Sequence, residues 1–357
     1  MKIVSVVGAR PQFIKAAMLS RKLRNEHQEI LVHTGQHYDH NMSEIFFREL
    51  SIPEPDYNLG ISGGSHGKMT GSMLIALEDV FLTEKPDMVL IYGDTNSTLA
   101  AALAAAKLQI PICHVEAGVR LNIKDNPEEI NRCLTDRITD LFFCATETSV
   151  KTLKKEGITQ NVYFTGDLMY DAILFYKTQL DVTEVIGTNP IEIPNDFYLL
   201  TIHRQENTCD DKPLYEILTA MNSLDSATLF PVHPRSKEQV QILCKRHDFR
   251  NIKLIEPVGY LTSLRLIRDA KKIVTDSGGI QREAWFLDKQ TVTILDKPLW
   301  PETHIGNVNQ ISKADTKEIL DKLQVQPDFS KKGSPFGNGD AAEKMLQAIN
   351  IYSKNKI

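Results

Sequence analysis

Short apolar runs rich in β-branched residues alternate with helical patterns along the whole of this 357-residue chain. The candidate strands form two series, 3–7, 30–33, 88–92, 112–115, 141–144 and 162–165, then 197–202, 229–232, 253–255, 272–275 and 291–294. Helical patterns separate them, for example at 11–24, 95–107, 128–139 and 260–269. Strands that alternate with helices form parallel sheets through right-handed crossovers. The pattern therefore predicts an α/β protein.

A break in this alternation predicts two domains. Residues 181–196 are polar and aperiodic and contain two prolines, a composition typical of a connection or a loop. The chain length also suits two domains of ordinary size. We predict two doubly wound, Rossmann-like domains that face each other across a cleft, 1–168 and 169–339, with a nucleotide bound by the second. A helical pattern near the end is expected to return to the first domain, so that 340–357 belongs to it.

Composition and charge exclude several classes of protein. The formal net charge of -5 and the pI of about 6.1 leave no basic surplus to neutralise the phosphates of a nucleic acid. The longest lipid-like run, 99–106, is far shorter than a membrane span, and the apolar opening at 3–7 is too short for a secretory signal. The five cysteines are scattered, which is typical of a reducing compartment. We expect a cytoplasmic protein without nucleic-acid or membrane partners.

Polar or glycine-containing signatures follow nearly every predicted strand. In open parallel sheets, ligands bind beyond the carboxyl ends of the strands. Because the signatures come from both halves of the chain, we predict one ligand site between the domains. The signatures are Gly8-Ala9-Arg10, Thr34-Gly35-Gln36-His37, Gly93-Asp94-Thr95, Glu116-Ala117-Gly118, Thr165-Gly166-Asp167, His203-Arg204, His233-Pro234-Arg235 and Asp276-Ser277-Gly278-Gly279.

The stretch 273–283 is the most informative of these segments. An apolar run ends at Gly278 and Gly279, which allow positive φ and close approach, and a helical pattern follows. Such a turn presents N–H groups to an anion, and Ser277 adds a hydroxyl. Glu283 has the chemistry to accept hydrogen bonds from a diol such as ribose. Taken alone, the stretch fits a phosphate-and-sugar site and a glycine-dependent strand–turn–helix junction equally well.

Acidic side chains occur at several strand ends. Asp94 follows a predicted strand, where it serves either as a helix cap or as a functional carboxylate. Glu116 ends an apolar strand, where a charge needs a partner. Glu128 and Arg132 lie four residues apart at a helix start and so share one helix face. A surface ion pair is the common explanation for that spacing, but the position beyond a strand end favours function.

Basic side chains complete the candidate site. His203 and Arg204 close the first strand of the second series, where the histidine fits a structural role, a diphosphate contact or a proton transfer. Arg10 and Lys15 add positive charge from the other wall of the predicted cleft. The cations and glycine amides suit a diphosphate, and the carboxylates suit proton transfer. Since the sequence has neither metal-ligand spacing nor a G-x-G-x-x-G motif, we expect no metal and no other cofactor.

With these residues in place, the chain resembles the non-hydrolysing bacterial UDP-N-acetylglucosamine 2-epimerases. The resemblance implies a glycosyltransferase-B-like fold with two Rossmann-like domains, a UDP-sugar substrate and a homodimer. The motifs occur in order over almost the whole chain, as GARPQFIK, TGQHYDHNM, GDTNSTLAA, HVEAG, PEEINR, TGD, HRQEN, PVHPR, TDSGGIQREA and PFGNGDAAEK.

The resemblance also implies a mechanism. The C2 proton is removed while UDP leaves C1, a glycal forms, and UDP adds back after C2 is reprotonated on the other face, in support of surface polysaccharide synthesis. By motif, the acid–base carboxylates are Asp94, Glu116 and Glu128, with Arg132 close to them and His203 near the diphosphate. Nucleotide-sugar contacts fall on Arg10 and Lys15, the diphosphate loop on Ser277, Gly278 and Gly279, and the ribose carboxylate on Glu283.

Some positions depart from this family's pattern. Leu299 and Trp300 stand where relatives acting on UDP-N-acetylglucosamine commonly carry Glu-Arg. The segment 256–260 is more similar to relatives that epimerise UDP-2,3-diacetamido-2,3-dideoxyglucuronate, which makes that sugar a second candidate substrate. The helix at 68–80 lacks an arginine associated with the family's effector site. The sequence is also compatible with a hydrolysing epimerase that releases N-acetylmannosamine and UDP, with a glycosyltransferase of the same fold and with a nucleotide-sugar sensor.

Overall fold

The computed structural model describes residues 1–36, 47, 49–180, 193–232 and 236–354. The chain forms two compact units, Met1–Phe175 with Ser334–Ile357 as unit 1 and Tyr176–Gly333 as unit 2. Each unit contains one parallel sheet, so the predicted α/β class is confirmed. The TGQHYDHNM motif and the polar stretch 181–196 lie partly outside the described residues, and the signature 233–235 lies wholly outside them. Among the helices that the structure describes, none combines the length and apolar composition of a membrane-spanning segment.

Unit 1 is a seven-stranded Rossmann-like unit. Its strands are β1 Lys2–Val7, β2 Gln28–His33, β3 Tyr57–Asn58, β4 Met88–Tyr92, β5 Ile112–Val115, β6 Leu141–Cys144 and β7 Val162–Phe164. They pair in parallel in the order β3-β2-β1-β4-β5-β6-β7. The strand order reverses between β1 and β4, and ligands of such sheets bind beyond the carboxyl ends of the strands at this point. The helices are α1 Arg10–Leu23, α2 His66–Glu84, α3 Asn96–Lys107, α4 Pro127–Arg137, α5 Glu147–Lys155 and α6 Leu168–Tyr176.

The centre of this sheet is buried on both faces. Every residue of β4 and β5 is buried. Parallel strands covered on both sides consist of continuous apolar runs, which explains why the sequence predicted these two. Helix α3 packs in the same core through small side chains such as Ala100, Ala101 and Ala104. Its N-cap is Thr95, whose hydroxyl accepts from the N–H of Thr98. This cap fixes the start of α3 directly after Asp94.

Unit 2 repeats the architecture with a six-stranded sheet. Its strands are β8 Phe197–Thr201, β9 Ala227–Pro231, β10 Ile252–Ile255, β11 Ile273–Thr275, β12 Thr291–Ile294 and β13 Asn309–Ser312. They pair in parallel in the order β10-β9-β8-β11-β12-β13, so the order reverses between β8 and β11. The helices are α7 Gln205–Thr208, α8 Asp211–Asn222, α9 Lys237–Arg246, α10 Tyr260–Asp269, α11 Gly278–Phe286 and α12 Thr316–Gln324. Short 3₁₀ segments lie at Lys177–Gln179, Pro301–Asn307 and Phe329–Lys331.

The C-terminal segment belongs to unit 1. Helix α13, Ala341–Lys354, receives an N-terminal cap from Asp171, whose carboxylate accepts from the N–H groups of Ala341 (3.1 Å) and Ala342 (2.8 Å). Before this helix, the carbonyl of Phe336 accepts from the N–H of Asp167 at 3.0 Å. These bonds attach α6 to the returning chain. The two units therefore divide at 175/176 and at 333/334. The boundaries predicted from the sequence are 168/169 and 339/340.

Gly166 allows this return by a close backbone contact. Its φ is +91°, and a Cβ there would lie 2.7 Å from the carbonyl oxygen of Phe336. We expect Gly166→Ala to destabilise the protein by about 3 kcal/mol, through left-handed strain and the clash together. Gly157 is the matched control because its φ is +83° but no atom lies within 4 Å of the added Cβ. Gly157→Ala is expected to cost only about 1 kcal/mol. Equal losses of unfolding free energy in denaturant titrations would contradict this explanation.

Candidate active site

The site residues of unit 1 lie at the carboxyl ends of β1, β4 and β5. Glu116 directly follows β5 and forms an ion pair with Lys15 of α1, whose side chain is 4% exposed. Glu116 has a φ of 72°, which is unusual for a residue with a side chain. Its N–H donates to the carbonyl of Phe143 at 3.0 Å. A strained backbone that the sheet holds in place is typical of functional sites.

Asp94 follows β4 and is held by helix α4. Its carboxylate forms an ion pair with Arg132, and its carbonyl accepts from the side-chain amide of Asn131 at 2.9 Å. Arg132 also donates to Glu129 at 2.9 Å. Burial acts to lower the pKa of Arg132, but Asp94 and Glu129 together raise it above its ordinary value. Arg132 is thus a buried, permanently charged partner of Asp94.

The i, i+4 spacing of Glu128 and Arg132 does not produce an ion pair. Glu128 is exposed on the first turn of α4, while Arg132 is buried and pairs with Asp94 and Glu129. Glu129 is itself fixed, because it accepts from the N–H groups of Leu121 and Asn122. The spacing predicted that Glu128 and Arg132 share a helix face, but it did not predict the partners of Arg132. These are Asp94, at the end of another strand, and Glu129, one turn earlier on the same helix.

Gln12 connects two strand-end turns, a role that the sequence did not reveal. Its side-chain carbonyl accepts from the N–H groups of Gly8 (2.7 Å) and Ala9 (3.0 Å) after β1. Its amide group donates to the carbonyl of Tyr92 at the end of β4. The turn that precedes Arg10 is therefore fixed to the turn that carries Asp94. The motif around Gln12 gave a signal, but only the fold supplies the partner.

The site residues of unit 2 are organised by Asp276. This carboxylate is fully buried and accepts from the N–H groups of His203 (3.1 Å) and Arg204 (2.9 Å) and from the side-chain amide of Asn207 (3.0 Å). Its oxygen also lies 3.0 Å from Nδ1 of His203. Burial acts to raise the pKa of Asp276, but hydrogen bonds and charge from His203, Asn207 and Arg204 hold it below the ordinary value. Asp276 thereby fixes the turn after β8 to the turn after β11, with the His203 side chain 44% exposed.

Helix α11 begins in the glycine loop. Ser277 is its N-cap, and the hydroxyl accepts from the N–H of Ile280 at 3.4 Å. The first N–H groups of a helix have no partner within the helix, so this end suits an anion. Glu283 is buried on the same helix. Neither Gly278 nor Gly279 adopts the positive φ that glycine allows.

Gly278 is instead constrained by its neighbours. A Cβ there would lie 2.8 Å from Leu299 Cδ2 and 3.9 Å from Trp300 Nε1. The buried Trp300 ring also packs under the guanidinium of Arg282, 4.1 Å from its centroid. The two residues that depart from the family pattern therefore border the glycine loop. Their apolar side chains change the surroundings of the very loop predicted to bind the diphosphate.

The predicted site residues divide between the two units. Unit 1 holds one set, and unit 2 holds the other. Among the described residues, no three His, Cys, Asp or Glu side chains are grouped as metal ligands. The first set is Arg10, Lys15, Asp94, Glu116, Glu128 and Arg132, and the second is His203, Arg204, Ser277, Gly278, Gly279 and Glu283.

Comparisons with known proteins agree on one family. Residues 21–350 match the family model described as UDP-N-acetylglucosamine 2-epimerase. The chain is 44% identical over 354 residues to a UDP-N-acetylglucosamine 2-epimerase homolog of Methanococcus maripaludis, covering 98% of this chain and 99% of that protein. It is 42% identical over 361 residues to the UDP-2,3-diacetamido-2,3-dideoxy-D-glucuronate 2-epimerase of Pseudomonas aeruginosa, with the same coverage. The Methanocaldococcus jannaschii UDP-GlcNAc 2-epimerase, solved with UDP-GlcNAc and UDP, superimposes with a TM-score of 0.89 at 37% identity, covering 98% of this chain and 100% of that one.

Proposed function

The chain belongs to the UDP-N-acetylglucosamine 2-epimerase family, and from this we propose that it inverts C2 of a UDP-linked N-acetylated amino sugar by elimination and re-addition of UDP. The observation that carries the proposal is the pair of carboxylates after β4 and β5, each held by a buried cation. Neighbouring strand ends place Asp94 and Glu116 side by side in the sheet order. Proton removal at one face of C2 and return at the other needs two such groups.

The proposal assigns the sugar ring to unit 1. Loss of the C2 proton and of UDP from C1 gives a glycal with a C1–C2 double bond, and UDP adds back after a proton reaches the opposite face of C2. Asp94, Glu116 and the exposed Glu128 are the proton donors and acceptors in this scheme. Arg132 and Lys15 orient the first two through their ion pairs. Positioned acids and bases of this kind accelerate such steps by about 10² to 10⁴.

The proposal assigns the nucleotide to unit 2. The N-terminal end of helix α11 and the hydroxyl of Ser277 bind the diphosphate, and His203 and Arg204 add positive charge. Fixed donors that face the departing UDP stabilise the negative charge that develops on it. Glu283 accepts from the ribose hydroxyls, and Arg10 of unit 1 contacts the nucleotide-sugar.

A specific observation favours a second substrate for the same reaction. Leu299 and Trp300 border the glycine loop where a Glu-Arg pair is common in relatives acting on UDP-N-acetylglucosamine. The relative from Pseudomonas aeruginosa is a UDP-2,3-diacetamido-2,3-dideoxy-D-glucuronate 2-epimerase. We therefore keep this 3-acetamido uronic sugar as the second candidate beside UDP-N-acetylglucosamine.

The experiment is a direct comparison of the two UDP-sugars. We expect proton and phosphorus NMR to show the C2 epimer of one of them with UDP still attached. Release of free N-acetylmannosamine and UDP would replace the proposal with a hydrolysing epimerase. Turnover only after addition of a sugar acceptor would replace it with a glycosyltransferase. Absence of any reaction with both sugars would overturn the proposal.

We also propose that the protein is a cytoplasmic homodimer and that its sugar product is used in the synthesis of surface polysaccharide. Helix α2 supports self-association because Ile75 and Leu82, two turns apart on one face, are 64% and 55% exposed. Light scattering of the purified protein tests this part, and a monomeric mass at micromolar concentration would contradict it.

A further inference from the structure

A buried charged cluster lies next to the two carboxylate-bearing turns of unit 1. It consists of His114 on β5, Asp136 on α4, and Arg120. The side chains of His114 and Asp136 are fully buried, and that of Arg120 is 4% exposed. Nothing in the reaction scheme above uses any of the three. Buried charges are costly unless paired, so their presence here calls for an explanation.

The hydrogen bonds of His114 define its charge. Nδ1 lies 2.7 Å from a carboxylate oxygen of Asp136, and Nε2 lies 2.7 Å from the carbonyl oxygen of Gly93. A carbonyl oxygen only accepts, and so does an ionised carboxylate, so both ring nitrogens must carry a proton. Although burial acts to raise the pKa of Asp136, His114 and Arg120 lower it below the ordinary value, so the carboxylate is ionised. The geometry of its two acceptors therefore favours a doubly protonated His114 ring.

The charges of the cluster balance within the described residues. Arg120 pairs with Asp136 at 2.8 Å and with both carboxylate oxygens of Glu156 at 2.9 Å. Two cations, His114 and Arg120, thus face two anions, Asp136 and Glu156. A neutral histidine would turn a lone pair toward either the Gly93 carbonyl or the Asp136 carboxylate, and both would repel it. The protonated ring is the form that satisfies every partner.

The cluster is attached to both turns that carry the proposed acid–base residues. Gly93 immediately precedes Asp94, and its carbonyl accepts a hydrogen bond from Nε2 of His114. The N–H of Gly93 donates to the carbonyl of Val115 at 2.9 Å. On the other side, Asp136 accepts from the N–H of Gly118, two residues after Glu116, at 3.1 Å. One rigid group of charges therefore connects the Asp94 turn with the Glu116 turn.

We infer that His114 is a positioning residue whose doubly protonated ring, together with Asp136, sets the placement of Asp94 relative to Glu116. It touches no substrate atom and acts only through the backbone. The inference rests on the proposed function in that these two carboxylates carry the proton transfers. A misplacement of about 1 Å at reacting groups costs roughly 100-fold in rate, so small movements of these turns have large effects.

The charge of His114 is tested without reference to catalysis. In the full-length protein labelled with ¹⁵N-histidine, both ring nitrogens of His114 are expected to carry a proton at pH 8. The charged groups around the ring and its partners are Asp136, Arg120 and Glu156. The exposed His247 is the internal reference for an imidazole in contact with solvent. An unprotonated ring nitrogen in His114 at pH 8 would overturn the inference, whether or not the enzyme epimerises the substrates tried.

The positioning role is tested by a double-mutant cycle. His114→Gln and Asp136→Asn are each expected to lower kcat about 100-fold, with KM and the Kd for UDP within about threefold of wild type. The kcat of the double variant is expected to be no lower than that of either single variant, because both changes break the same His114–Asp136 pair. His247→Gln is the control and should keep wild-type kcat. If His114→Gln fails to fold, Asp136→Asn alone carries the kinetic test, with folding checked by thermal unfolding. Wild-type kcat in a folded single variant, or losses that multiply in the double variant, would overturn the inference.

Discussion

Replacing Asp94 by asparagine is expected to lower kcat about 1,000-fold, within the range that a positioned acid or base contributes. Asparagine has nearly the same shape but does not transfer the C2 proton. The fold should tolerate the change because Arg132 keeps its second ion pair, with Glu129. Steady-state kinetics measure the loss of kcat, and thermal unfolding of the same preparation shows whether the fold is retained.

The control for this substitution comes from the same unit. Asp125 is exposed in the segment before α4, so Asp125→Asn should keep wild-type kcat. A folded Asp94→Asn variant that retains more than a tenth of wild-type kcat would remove Asp94 from the chemistry. The proposal would then have to place the proton transfers on Glu116 and Glu128 alone.

The second large effect is expected at the glycine loop. Gly279→Asp should weaken UDP binding by about two to three orders of magnitude, because like charges about 4 Å apart repel by up to about 4 kcal/mol near a protein surface. The free protein should be as stable as wild type, since a carboxylate in the first turn of a helix interacts favourably with the helix dipole. Calorimetric titration with UDP measures the affinity, and thermal unfolding measures the stability of the free protein.

Gly279→Ala separates charge from size at the same position. An added Cβ would meet only the Ser277 hydroxyl oxygen, at 3.7 Å, which is an ordinary van der Waals distance. The alanine variant should therefore bind UDP within about tenfold of wild type, a difference of less than about 1.4 kcal/mol. Unchanged UDP affinity in Gly279→Asp would show that no phosphate binds at this helix end.

The fold class followed from sequence because the buried strands are continuous apolar runs. Two strands escaped prediction for a physical reason. β3 has only two residues, and β13, with the sequence NQIS, is buried at its ends but only partly buried between them. Both lie at sheet edges, where a strand is covered less completely and its sequence is correspondingly less apolar.

The sequence predicted individual residues of the candidate site but not the contacts between them. Motif positions predicted Asp94 and Glu116, yet Gln12, His114 and Asp136 act through partners distant in sequence. The carbonyl that Gln12 donates to lies 80 residues away, and no local pattern carries that information. Likewise, the helical spacing of Arg132 gave no indication of its ion pair with Asp94, which lies 38 residues earlier in the chain.

The measurement closest to the central claim is the origin of the hydrogen at C2. Wild-type enzyme incubated with its UDP-sugar in deuterium oxide is expected to yield both epimers with deuterium at C2, as read by mass spectrometry and proton NMR. This result follows if side-chain carboxylates remove one proton and return another that has exchanged with solvent. Epimers that still carry the original hydrogen at C2 would contradict the account, because inversion would then have occurred without proton exchange at the groups of unit 1.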